Sequence, residues 1–268
     1  MWIVAVIVLI LPLIYLWCLK GRTGHSQIHE LSSWSYAHRG LHNDQRPENS
    51  MSAFQAALDA GCGIELDLHL LKDGNLAVMH DSSLKRTAGA DIAIEALTTQ
   101  ELEQYSLTLS NEPIPLFSQV LELYQGRAPL IIELKCVNGN HAALCEATCR
   151  QLEGYQGLYC LESFDPRCIH WLRKNRPDLI RGQLSENWMR SKLKMPLILK
   201  LIMTYHISNV FTRPDFIAYR YADRKTFGTD ICLKLWKLKG VSWTLRTRQE
   251  YDIAVQEGWI PIFENFTL

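Results

Sequence analysis

Apolar and polar positions alternate with period two through Gly63-Ile64-Glu65-Leu66-Asp67-Leu68-His69-Leu70. On a strand, Ile64, Leu66, Leu68 and Leu70 take one face and Glu65, Asp67 and His69 the other. Around this run, strand-like and helix-like patterns follow one another. Strands are predicted at 36–39, 63–70, 130–134, 158–161, 179–183, 216–219, 240–244 and 260–263. Helical periodicity fills most of the gaps, at 50–60, 117–124, 141–153, 166–175, 188–205, 229–237 and 247–257, and Ser50 caps the first. Eight such alternations predict an α/β fold, a (β/α)8 TIM barrel, with a doubly wound open sheet as the alternative.

Two stretches modify this frame. The turn Lys72-Asp73-Gly74-Asn75 has hairpin chemistry, and 76–79 reads as a returning strand that ends at His80-Asp81. Residues 81–113 then form a small insertion after the second strand, with a capping box at Thr98 and Glu101. The stretch 188–209 is rich in Leu, Ile and Met, with Lys192, Lys194 and Lys200 interspersed and Pro196 near its middle. It reads as a buried barrel helix; the alternative is a surface leaning on bilayer headgroups.

The first residues differ in kind. Trp2 to Leu19 is an uncharged apolar run of 18 residues, at the short end of what crosses about 30 Å of hydrocarbon. Tyr15 and Trp17 suit an interface, and Pro12 is tolerated in membrane helices. A cleaved signal peptide is the competing reading, but neither a basic leader nor a small-residue cleavage site accompanies the run. The expectation is a transmembrane anchor over 1–20, a polar linker over 21–33 and a barrel domain over 34–268. Lys20 and Arg22 follow the run, so the positive-inside rule makes the protein single-pass with a cytoplasmic barrel.

Charge is balanced, with 28 Lys+Arg against 28 Asp+Glu, which argues against a nucleic-acid binder working by bulk electrostatics. The cysteines are scattered and form no CxxC pair, which favours a reducing compartment.

In a barrel, catalytic groups collect at the C-terminal ends of strands. Here those ends carry His38-Arg39, Glu65 and Asp67, His80-Asp81, Glu133 and Lys135, Ser163-Phe164 and Trp243-Thr244. Glu65, Asp67 and Glu133 form an all-oxygen set that suits one hard divalent cation, Mg2+ or Ca2+. The alternative is a structural network in which Arg39 and Lys135 neutralise the carboxylates. His38 and His80 tip the balance, because a metal, two cations and two imidazoles are what metal-assisted phosphodiester hydrolysis requires. His25, His29, His141, His170 and His206 are read as structural or solvated, and His42 and His69 carry no assigned role.

Ala37-His38-Arg39-Gly40, Arg46-Pro47-Glu48-Asn49-Ser50, Ile64-Glu65-Leu66-Asp67, Lys72-Asp73-Gly74, Met79-His80-Asp81, Ile132-Glu133-Leu134-Lys135, Ser163-Phe164 and Trp243-Thr244 together resemble the glycerophosphodiester phosphodiesterase family, within the PLC-like phosphodiesterase superfamily. The resemblance spans about residues 35–265. It implies a TIM barrel with an insertion after the second strand, metal ligation by Glu65, Asp67 and Glu133, and acid/base roles for His38 and His80. It also implies phosphate contacts from Arg39 and Lys135 and a glycerol-facing aromatic at Trp243, with Glu48, Asn49, Asp81 and Ser163 in support. Two departures stand out: Ser50 replaces the family's threonine, and Phe263-Glu264-Asn265-Phe266 replaces its Thr-Asp-x-Pro. The implied activity is hydrolysis of a small-molecule glycerophosphodiester to sn-glycerol 3-phosphate and an alcohol. The alternatives are lysophospholipase D action on a lysophospholipid, or a non-catalytic phosphodiester-binding membrane module.

Overall fold

The computed structural model describes the backbone over residues 2–268 and side chains from Ile10 onward, so Met1 and the earliest side chains of the expected anchor lie outside the described residues. Nine strands form one sheet among them: β1 Tyr36–His38, β2 Gly63–Leu70, β3 Leu76–Val78, β4 Leu130–Leu134, β5 Tyr159–Ser163, β6 Arg181–Ser185, β7 Phe216–Arg220, β8 Lys239–Leu245 and β9 Ile260–Phe263. Eight run parallel in the order β1-β2-β4-β5-β6-β7-β8-β9, and β9 pairs back onto β1, so the sheet is a closed barrel rather than an open one.

The strand alternation sorts side chains into two cores. Tyr36, Ile131, Cys160, Phe216, Val241 and Ile260 fill the barrel's lower interior. Ile64, Leu66, Ile132 and Leu161 point outward against Phe54, Phe117 and Leu172 of the surrounding helices, among them α2 Met51–Asp59, α3 Phe117–Tyr124, α4 His141–Gln151 and α5 Pro166–Asn175. Gly182 makes the floor possible: a Cβ there would lie 2.1 Å from the Phe216 ring. With both faces covered, β2 is buried from Gly63 to His69.

The hairpin forms as expected. β3 pairs antiparallel with the upper part of β2, and Gly74 takes a φ of 86° at the turn. The insertion packs on this hairpin through its own core of Leu84, Ile94, Leu97, Leu102 and Leu107 against Leu71 and Met79. Thr98 and Glu101 make the reciprocal capping box.

Two expectations are corrected. The helix α1 covers Trp2–Cys18, only 17 residues, or about 25 Å. Its last turn is fastened to the barrel: Trp236 Nε1 donates to the Leu16 carbonyl at 2.8 Å, Arg213 to that of Trp17 at 2.9 Å, and Leu19 is fully buried. No helix among the described residues is long and apolar enough to cross a membrane. The two charges that suggested topology are engaged in the fold, Arg22 on Asp215 at 2.6 Å and Lys20 over the Trp236 ring. The second correction concerns 188–205. Helix α6 covers only Leu197–Thr204, with Pro196 at its N-cap, because proline cannot continue a helix from the preceding turn. Only Met203 and Thr204 of α6 are buried, so it is not the buried barrel helix expected.

Candidate active site

The upper ends of the same inward-facing strand rows carry the polar groups. Strand register sets His38 beside Glu65, Asp67 beside Glu133, and Glu133 beside Glu162. One small chamber at the barrel mouth is lined by His38, Arg39, Glu65, His80, Glu133 and Trp243, among others.

Glu65, Asp67 and Glu133 offer one oxygen each within 4.8 Å of one another. Lys135 Nζ bridges two of them, at 2.9 Å from Asp67 and 2.8 Å from Glu133. Arg39 sits 3.4 Å from Asp67 but also holds Glu48 at 2.8 Å, and Asn49 donates to Asp67 at 2.8 Å. Arg39 and Asn49 both have positive φ, which turns the chain back over the carboxylates. The charges do not balance: three buried carboxylates face Lys135 and an arginine shared with Glu48. Burial pushes Glu65 well up, reinforced by the charges of Asp67 and Glu133. Burial also raises Glu133 despite Lys135. At Asp67 burial is outweighed by Lys135 and Arg39, which hold it far below the usual carboxylate range. A compact all-oxygen donor set with excess negative charge fits a hard divalent cation.

Each histidine is held from behind by a carboxylate. His38 Nδ1 bonds Glu264 Oε2 at 2.5 Å, and Glu264 is fixed in turn by Arg246 at 2.7 Å. His80 Nδ1 bonds Asp81 at 2.6 Å, and Arg86 ties Asp81 at 2.6 Å and also reaches Glu48. With Nδ1 bound to the carboxylate, Nε2 is the free acid/base atom on each ring; that of His38 lies 3.8 Å from Glu65. Burial lowers both imidazoles, with Glu264 opposing it at His38 and Asp67 at His80. His69, buried on β2, bonds Glu95 of the insertion and the His80 carbonyl, so the insertion steadies the second histidine. Trp243 meets Phe164 edge to face at 5.6 Å. The Ser163 hydroxyl donates to the Leu134 carbonyl at 2.7 Å and so joins the ends of β4 and β5.

Three groups here were not assigned from sequence. Glu264 follows β9 directly at the departure from the resembled motif. Glu162 is a fourth buried carboxylate, raised by burial and by Glu133, and its Oε2 has no partner among the described residues. The predicted strand at 158–161 stopped one residue short of it, and β5 runs to Ser163. Glu95 lies in the insertion, where no periodic pattern points to His69.

Beside the chamber a cleft of about 680 Å³ begins at His80, Glu133 and Lys135 and continues along Phe164, Trp188, Met195, Leu199 and Met203.

A glycerophosphodiester phosphodiesterase of Bacillus altitudinis is 37% identical over 130 residues, 45% of this chain and 53% of that protein, so the chain spans about half that relative's length. The lysophospholipase D GDPD1 of Rattus norvegicus is 34% identical over 117 residues, 39% of this chain and 36% of that protein. A phosphodiesterase of Oleispira antarctica, solved in complex with the product sn-glycerol-3-phosphate, shares the fold at a TM-score of 0.71 and 20% identity, over 87% of this chain and 93% of that one. The model of the Glycerophosphoryl diester phosphodiesterase family matches residues 38–225, from the end of β1 through β7. The chain belongs to that family.

Proposed function

We propose that the protein hydrolyses glycerophosphodiesters to sn-glycerol 3-phosphate and an alcohol at the barrel mouth. The observation that carries this reading is the single chamber in which two carboxylate-backed histidines meet a cation, Arg39, and a set of carboxylates. Glu65, Asp67 and Glu133 would hold one divalent cation, Mg2+ or Ca2+, which supplies positive charge to the phosphate oxygens when bound. Arg39 and Lys135 bind and orient the phosphate. One imidazole accepts a proton from the attacking water as the new P–O bond forms; the other, protonated, gives its proton to the departing alkoxide as the old P–O bond breaks. Trp243 and Phe164 form an apolar wall against the glycerol unit. Release of sn-glycerol 3-phosphate from glycerophosphocholine in Mg2+, Ca2+ or Mn2+ tests this; binding without hydrolysis in all three would leave a phosphodiester-binding module instead.

A second reading, lysophospholipase D action, is supported by the apolar side chains along the neighbouring cleft, Phe164, Trp188, Met195, Leu199 and Met203, which suit an acyl chain. Turnover of lysophosphatidylcholine above that of glycerophosphocholine would favour it. We place the protein on the cytoplasmic side of a membrane, supported by its eight free cysteines; digestion of the barrel by protease added outside intact cells would refute this.

A further inference from the structure

The segment that runs from β6 into α6 has two faces. Met195 and Leu199, with Met203 further along, line the cleft that begins at His80 and Lys135. On the other side Leu193, Leu197 and Ile198 are 60%, 62% and 66% exposed. Lys192 and Lys194 flank Leu193, both exposed, and neither has an acidic partner within 4.0 Å among the described residues. Isolated exposed leucines are ordinary, but three on one short segment with interleaved lysines form a patch.

A second apolar element is tied to this one. The Tyr15 hydroxyl of α1 donates to the carbonyl of Tyr205, the residue that closes α6, and its ring stacks on exposed Phe227 at 6.3 Å. From that attachment α1 presents Ile10, Leu11, Leu13, Ile14 and Trp17, each about half exposed. No charged residue lies between Trp2 and Cys18, so the exposed face of α1 is too apolar for water alone and suits contact with lipid.

We infer that the 189–198 segment, with the exposed face of α1, is a docking surface for an anionic lipid bilayer. The lysines supply the complementary charge, and the apolar side chains enter the headgroup layer. Charge decides between a bilayer and a protein partner: Lys192 and Lys194 beside exposed Leu193, Leu197 and Ile198 match an anionic headgroup layer. The cleft on the opposite side gives a lipid a path along Met195 and Leu199 toward the histidines. Docking rests on the catalytic reading only for the use of that path, not for binding itself.

The full chain is tested by flotation with vesicles of phosphatidylcholine alone or mixed with phosphatidylglycerol. The wild type is expected to float with the anionic vesicles. The double variant Leu197→Asp, Ile198→Asp should lose roughly tenfold or more of this binding, and Lys192→Glu, Lys194→Glu about tenfold. Glycerophosphocholine turnover and the melting temperature should be unchanged in both, which excludes misfolding. Wild type that stays with the soluble fraction overturns the inference, as do variants that float like wild type. Equal flotation on neutral vesicles overturns the anionic part. If flotation follows the expected pattern while glycerophosphocholine is never hydrolysed, docking stands and the catalytic reading falls.

Discussion

The lower and upper halves of the barrel interior are built on the same strands, two residues apart, and obey opposite rules. Below, Tyr36, Ile131, Cys160 and Phe216 interlock as an apolar plug. Above, Glu133, Glu162 and the neighbouring Glu65 and Asp67 are buried too, with His38 half-buried beside them, but they are ionisable groups whose charges the site does not fully compensate. The difference shows where stability is made and where it is given up. The floor gains from every contact, while the mouth keeps buried carboxylates whose burial and mutual repulsion cost stability.

Phe216→Ala should separate the halves most sharply. Removing a fully buried ring that fills the space over Gly182 is expected to cost about 3–5 kcal/mol in denaturant unfolding, with kcat of the folded protein near wild type. A large loss of kcat at full stability would mean the floor shapes the mouth directly. Conversely, His38→Ala and His80→Ala should each lower kcat by roughly 10²-fold or more with unfolding unchanged. A near-normal rate in either removes that residue from the chemistry.

Glu264→Gln is expected to lower kcat on the order of tenfold, less than loss of the imidazole, with KM little changed, since Glu264 orients His38 from behind. An unaltered kcat would leave Glu264 as a fold contact to Arg246. Glu65→Gln should weaken the divalent-cation dependence of both activity and melting temperature; an unchanged titration counts against ligation there.

The smallest effect is in pH. Glu65, Glu133 and Glu162 are raised by burial, so above about pH 4.5 the unfolded chain has released protons the folded one keeps. Above about pH 7, where the lowered His38 and His80 no longer oppose the trend, metal-free protein should therefore melt lower as pH rises, and Mg2+ or Ca2+ should reverse the trend. Asp81, brought down to about 2 by Arg86 and His80 against burial, works in the opposite window. Its contribution is complete above about pH 4 and is lost as the pH falls toward 2. A melting temperature that rises with pH above about 7 in the chelated protein would contradict the uncompensated mouth.

The period-two runs, the Asp73-Gly74 turn and the Ser50 and Thr98 caps were legible in the chain because each is set by residues close in sequence. So was the parity that puts Glu65, Asp67 and Glu133 on one inward row. The partners of the histidines were less legible: Asp81 adjoins His80, but Glu264 lies 226 residues from His38 and reaches it only because β9 closes the barrel against β1. Likewise 188–205 has a helical pattern and α1 a membrane-like composition. Composition does not report that Pro196 delays the helix, nor that Trp236 and Arg213 hold the last turn of α1 against the barrel.

By itself the sequence determined which residues face inward and which chemistry they bring, since alternation and turn geometry are local. Tertiary structure alone decided which carboxylate backs each imidazole, that Glu162 joins the cluster, and that α1 and α6 meet at Tyr15 and Tyr205. Those contacts join positions far apart in the chain, and only barrel closure and packing bring them within bonding distance.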